Sequence, residues 1–128
     1  MRILEIHIEV SDIVVSLEFY KKILPYHKIT RWSDNKAYAF ILEDGTAFGI
    51  WEKGKVGLHN GRAGEHVHYA FQISPDEYES YKSKLLAIPV EIIEHEWDDG
   101  YRSLYFFDPD NHQGEFMTKD WLKQTTGQ

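Results

Sequence analysis

Two copies of a βαβββ module, an α+β fold in a single 128-residue chain, are what this sequence predicts. Strand-like alternation opens each half, and a capped amphipathic segment follows it. Turn signals then divide three further alternating runs. The landmarks also recur at nearly constant spacing. Ser11 and Ser74 stand 63 residues apart, Pro25 and Pro89 stand 64 apart, and Asp44 and Asp110 stand 66 apart. One module alone exposes a sheet face. The two are therefore expected to form paired, barrel-like curved sheets around a cleft, each face covering the other or a face of a second chain.

Taken in order, Ile6, Ile8 and Val10 alternate with Glu5, His7 and Glu9, which is strand periodicity over residues 3–10. Ser11 or Asp12 caps a helix carrying Ile13, Leu17, Tyr20 and Leu24 on one face, and Pro25 stops it. Strands are expected near 28–33, 36–43 and 47–52, the last two joined at Glu43-Asp44-Gly45. Gly54, Gly57, Gly61 and Gly64 mark a linker. A strand over 66–73 then puts His66, His68, Ala70 and Gln72 on one face. Ser74-Pro75-Asp76-Glu77 is a capping box with proline at the first helical position. Tyr78, Tyr81, Leu85 and Ile88 form the apolar stripe of that helix, and Pro89 ends it. Strands fit 90–97, 101–107 and 113–118, with a tight turn at Asp108-Pro109-Asp110-Asn111. The expected boundaries within one domain are module one 1–53, linker 54–64, module two 65–121 and tail 122–128.

Composition excludes several classes. With 42% hydrophobic and 27% charged residues the chain is neither disordered nor fibrous. No apolar run approaches the ~18–20 residues of a membrane span. Met1-Arg2-Ile3-Leu4 leads into a strand rather than a signal-peptide pattern, so a cytoplasmic protein is expected. Zero cysteines rule out disulfides, thiolate metal sites and cysteine nucleophiles. A net charge of −7 argues against nucleic acid and anionic membrane surfaces as partners. Aromatics make up 15%, more than one small core needs, so some are expected to line a pocket or an interface.

The repeat also aligns candidate site residues. Glu5 and His68 each lie six residues before a helix cap, and Gly49 and Glu115 each lie five beyond a turn acid. Two carboxylates and an imidazole at equivalent positions suit one divalent ion of Mn, Ni, Co, Fe or Zn. Three such ligands leave coordination positions open for water and substrate. A solvated or hydrogen-bonded group of side chains fits the same pattern. His7 and His66, each two residues from one of these positions, are candidates for moving a proton and equally for orienting a ligand beside them. Trp32, Phe40, Phe48 and Trp51 suit either a pocket wall or the core.

Three stretches carry a family resemblance. These are Val10-Ser11-Asp12 with Ser16-Leu17-Glu18-Phe19-Tyr20, His68-Tyr69-Ala70-Phe71, and the run from Ser103 to Phe116 containing Asp108-Pro109-Asp110-Asn111-His112 and Glu115. Together they resemble the vicinal oxygen chelate superfamily, which includes glyoxalase I, fosfomycin-resistance thiol transferases, extradiol dioxygenases and bleomycin-binding proteins. The resemblance implies that His68 and Glu115 are metal ligands and that Glu5 stands where relatives usually place His. It implies that Gly49 lacks the fourth glyoxalase ligand, which Gly49→Glu would restore. It also implies that Ser103 and Tyr105 contact substrate. The expected function is a metal-dependent lyase, isomerase or thiol transferase acting on a small molecule with vicinal oxygens. The alternative is a metal-free binding or drug-sequestering protein of the bleomycin-resistance type. Relatives pair modules across chains, so a homodimer is expected. The acidic run Glu94-His95-Glu96-Trp97-Asp98-Asp99 is expected to rim the cleft and to disfavour a dianionic phosphonate such as fosfomycin.

Overall fold

Strand β1 (Glu5–Val10) runs into a helix because Asp12 closes the first turn. Its Oδ1 accepts the backbone N–H groups of Val14 at 3.1 Å and Val15 at 3.2 Å, two donors the helix cannot itself satisfy. Asp12 rather than Ser11 is thus the cap of helix α1 (Ile13–Ile23). Lys21 and Lys22 sit in its last turn, favourable to the helix dipole, and Leu24 leaves the helix in extended geometry ahead of Pro25. Ser16, Phe19, Tyr20 and Ile23 form the buried stripe, whereas Leu17 is half-buried. The helix is therefore rotated by about one residue, 100°, from the expected face, so that the Tyr20 ring meets Phe48 at 4.9 Å and Phe40 at 6.2 Å.

Strands β2 (Tyr26–Trp32), β3 (Ala37–Leu42) and β4 (Ala47–Glu52) complete the first sheet. Its order is β1-β4-β3-β2, with β1 and β4 parallel and the other pairs antiparallel. The β3–β4 turn is closed by Asp44 Oδ1 accepting from Thr46 N at 2.9 Å, with Gly45 at φ 87°. That hydrogen bond holds the Asp44 carboxyl below its ordinary range.

The second module repeats this plan in β5 (His68–Gln72), a 3-10 turn (Pro75–Glu77), α2 (Tyr78–Leu86), β6 (Ile92–Glu96), β7 (Arg102–Phe107) and β8 (Gln113–Met117). The sheet order β5-β8-β7-β6 matches the first, again with one parallel pair. The α+β reading and the doubled βαβββ plan are borne out. Ser74 N donates to Glu77 Oε1 at 2.9 Å in the expected capping box. Tyr78, Tyr81 and Leu85 are buried as expected, with the Tyr81 ring 4.5 Å from Phe116. The helix ends earlier than Pro89, at Leu86, because a residue before proline resists helical geometry and the chain tightens into a turn there.

This computed structural model describes residues 1–32, 34, 36–54 and 68–121. Most of the expected linker, the tail 122–128 and His66 lie outside the described residues. The chain divides into two compact units, 1–65 and 66–128. Among the described residues no helix is long and apolar enough to cross a membrane.

Two carboxylates of the acidic run, Glu94 and Glu96, do not lie where they were expected. Strand alternation puts Glu94 and Glu96 opposite Leu104 and Arg102, on the face that meets α2, while Ile93 and His95 pair with Tyr105 and Ser103. Glu94 accepts from Lys82 Nζ at 3.0 Å and from the Tyr78 hydroxyl at 2.8 Å. Asp99 meets Lys119 at 3.0 Å. Glu94 and Glu96 therefore turn away from Ser103 and Tyr105, and they cannot form the rim on which the case against a phosphonate rested.

Glu94 gives a pH test. Lys82 first, then Tyr78, hold its carboxyl below the ordinary range, while burial first and then Glu94 push the Tyr78 phenol up. Because the folded carboxyl lies below its unfolded value of about 4.3, its stabilisation is complete above that pH and is lost as pH falls through the folded value. Glu94→Gln should cost less than about 1 kcal/mol at neutral pH, since solvent screens the pair. Urea unfolding at pH 7 and near pH ~3 should show the deficit shrinking in acid. An equal deficit at both values would mean the ion pair is not its source.

Candidate metal centre

On the open face of the second sheet, His68 on β5 and Glu115 on β8 approach each other, with His68 Nε2 3.7 Å from Glu115 Oε1. The Glu115 carboxylate is nearly out of water, at 6% exposure, and Ser103 on β7 is fully buried beside it. The Ser103 hydroxyl donates to Glu115 Oε2 at 2.6 Å and accepts the Trp97 indole N–H at 2.9 Å. Met117 Sδ, a weaker acceptor, lies 3.3 Å from the same hydroxyl. Tyr105 pairs directly with Glu115 in the ladder and is half-buried on that face. His95 stacks edge-on to Trp97 at 4.3 Å.

The donor pair suits a metal ion. Two donor atoms each about 2.1 Å from one ion stand about 3.0–3.6 Å apart at the usual coordination angles. An imidazole nitrogen and a carboxylate oxygen at 3.7 Å are within a small side-chain adjustment of that spacing. Among the described residues no group of three His, Asp or Glu side chains is gathered as a ready-made cage.

The equivalent face of the first sheet is built differently. His7 on β1 pairs with Gly49 on β4 as Ala70 on β5 pairs with Glu115 on β8. Glu5 lies opposite Ala47 as His68 lies opposite Gln113, which places the four sequence-aligned positions in the same register. The Trp51 indole N–H donates to His7 Nδ1 at 2.6 Å. An indole nitrogen only donates, so His7 carries its ring proton on Nε2 and presents it to Glu5 Oε2 at 3.2 Å. The His7 ring also stacks on Trp32 at 5.5 Å and leans on Trp51 at 5.9 Å. Both nitrogens of His7 are thus engaged, and taking up a proton at Nδ1 requires breaking the Trp51 contact.

The D-P-D segment has a structural part. Asp108, 3% exposed, accepts the backbone N–H groups of Asp110 at 2.9 Å and His112 at 2.8 Å, and meets His112 Nδ1 at 2.8 Å. It closes the turn that delivers Glu115 into β8. Trp97 was missed by the sequence reading. Its signal was parity, since residues 93, 95 and 97 share a side of β6 and its extension.

Gly49 does more than lack a ligand. A Cβ there would run into His7 Nδ1 and lie 2.8 Å from His7 Cε1. Gly49→Glu alone would therefore displace His7 before adding a usable carboxylate. Gly49→Ala should destabilise by about 1–3 kcal/mol through overpacking and shift tryptophan fluorescence as Trp51 loses its acceptor. In a double-mutant cycle His7→Ala should relieve most of that cost. Additive losses would show that the two positions do not compete for space.

Residues 2–116 match the family described as the Glyoxalase/Bleomycin resistance protein/Dioxygenase superfamily. The metallothiol transferase FosB of Staphylococcus saprophyticus is 38% identical over 114 residues, spanning 85% of this chain and 71% of that protein. The crystal structure of the fosfomycin resistance protein FosX from Listeria monocytogenes superposes with a TM-score of 0.77 at 25% identity, covering 98% of each chain. A variant of that protein complexed with Mn(II) and 1S,2S-dihydroxypropylphosphonic acid superposes at 0.73 and 27% identity, covering 94% of this chain and 91% of the other. The doubled module, its register and these matches place the chain in the glyoxalase/bleomycin resistance/dioxygenase superfamily, to which it belongs.

Proposed function

We propose that the chain is a metal-dependent thiol transferase acting on a small electrophile with adjacent oxygens. The observation that carries this reading is the pair His68 and Glu115, an imidazole and a buried carboxylate at near-chelating separation. The 38% identity to a metallothiol transferase supports the reaction class. Manganese is the ion of choice because the FosX complex holds Mn(II). Glu5 is carried as the third ligand on the strength of the sequence resemblance, and a homodimer belongs to the same proposal.

A divalent ion bound there supplies Lewis-acid polarisation of two neighbouring substrate oxygens. His68 and Glu115 hold it, Ser103 keeps Glu115 oriented, and the Tyr105 hydroxyl, on the same face, donates to a substrate oxygen. In the transfer a thiol loses its proton, its sulfur bonds to an epoxide carbon, the carbon–oxygen bond opens, and the released oxygen takes up the proton that the thiol gave to solvent. With Glu94 and Glu96 on the opposite face, a phosphonate-bearing epoxide is an admissible substrate.

A second reading rests on the indole pair Trp32 and Trp51, 6.0 Å apart around His7 and beside Glu5. Such a surface suits a planar cation held without metal. The test begins with Mn(II) binding by equilibrium dialysis. About one ion per chain is expected, with His68→Ala and Glu115→Ala each weakening binding by about 100-fold or more and Glu5→Gln by about 10-fold. Thiol consumption is then followed with fosfomycin, and thioester formation with an α-ketoaldehyde–thiol adduct. Stoichiometric Mn(II) binding that survives both alanine changes would sink the ligand assignment. Tight binding of a cationic aromatic in chelator, with no thiol transfer at any metal, would favour the second reading. Light scattering that finds a monomer would remove the dimer.

A further inference from the structure

Among the described residues Glu115 is the most deeply buried ionisable group on the open face of its sheet, and its two oxygens have different surroundings. Oε1 looks toward His68, while Oε2 is held by a hydroxyl that is itself held by an indole. We propose that Trp97 and Ser103 act as a positioning relay for Glu115, fixing Oε2 so that Oε1 stays on the metal side. This rests on reading His68 and Glu115 as ligands, and it gives Ser103 a different task from the substrate contact its position in the family suggests.

The direction of each hydrogen bond follows from the donor inventory. The Trp97 indole nitrogen has one proton and no lone pair to offer, so it donates to Ser103 Oγ. The Ser103 hydroxyl has one proton, and at 2.6 Å from Glu115 Oε2 it donates to the carboxylate. With a lone pair taken by Trp97 and the proton by Glu115, at 0% exposure, the hydroxyl has no proton left for a substrate. Each bond strengthens the next, because a donor that is also an acceptor is polarised along the chain. A carboxylate at 6% exposure also needs a partner for the oxygen that faces away from the ion, or the desolvation cost remains uncompensated. Trp97 is 42% exposed and bound at the sheet's edge, so its contribution is orientation more than core packing.

The relay predicts coupling between metal and an indole that never touches it. In wild-type protein, Zn(II) should shift the Trp97 Nε1–H resonance in a proton–nitrogen NMR spectrum, assigned by its loss in Trp97→Phe. Ser103→Ala should abolish that response and weaken Mn(II) binding about 10–100-fold, Ser103→Thr should restore most of both, and Trp97→Phe should weaken binding about tenfold. If Ser103→Ala does not fold, Trp97→Phe decides, since its ring is partly exposed and its substitution removes only the N–H and ring bulk. Mn(II) binding unchanged in Ser103→Ala and Trp97→Phe but lost in Glu115→Gln would overturn the relay and leave the ligand assignment standing. Wild-type protein that binds no Mn(II) would overturn both.

Discussion

Everything on the open face of each sheet depends on the parallel pairing of its first and last strands. Parallel register fixes which residues are neighbours across the ladder, and at the pairs His7–Gly49 and Ala70–Glu115 only one residue carries a long side chain. In the first sheet that chain is His7, over Gly49; in the second it is Glu115, beside Ala70. The two modules carry that long side chain on opposite strands. Their different chemistry follows from that choice. His7 on β1 meets Glu5 on its own strand, whereas Glu115 on β8 reaches across to Ser103 on β7 and to His68 on β5.

Both solutions end in a carboxylate approached through an indole. Trp51 donates to His7, which faces Glu5, and Trp97 donates to Ser103, which donates to Glu115. The two indoles are not repeat equivalents, since Trp51 lies within β4 and Trp97 follows β6. The similarity therefore does not descend from the repeat alone. An N–H donor without acceptor capacity is well suited to the outer end of such a chain because it fixes proton direction inward. Burial separates the two cases. Glu115 is 8% exposed at its side chain and Glu5 is 49%, so the hydrogen bonds around Glu115 carry far more of its energetic balance.

Legibility in the sequence tracked the physics of each signal. Helix caps, turn acids and the doubled order were readable because Asp12, Asp44 and Glu77 accept from backbone N–H groups within a few residues of themselves. Glu5, His68, Gly49 and Glu115 were correctly placed in register because alternation and repeat spacing are both local counts. The face of α1 was misread because Ser16 is small and polar yet fully buried against the sheet, while Leu17 beside it is only half-buried. Packing, not polarity, selected the stripe. Parity along β6 put Trp97 on the side of Ser103, but that the indole N–H meets this hydroxyl depends on side-chain reach across the turn, which periodicity does not encode.

The acidic run shows how net charge misleads about a site. A chain at −7 suggests a negative cleft, and the 94–99 segment looks like its source. Alternation instead sends Glu94 and Glu96 to the helix-facing side, where Lys82 lies 3.0 Å from Glu94, and Arg102 sits over the Tyr78 ring at 3.8 Å on that same side. A paired charge acts on distant groups as a dipole, whose field decays faster than that of a lone charge, and salt screens the remainder within about 8–10 Å. What Ser103 and Tyr105 experience from β6 is then Ile93, His95 and the Trp97 extension, an apolar and aromatic edge. The unsolvated charge beside them is Glu115, and a divalent cation is the partner that its burial and its imidazole neighbour favour. A divalent cation held by Glu115 and Glu5 would offset both carboxylates, which removes the repulsion that an anionic ligand would otherwise meet there.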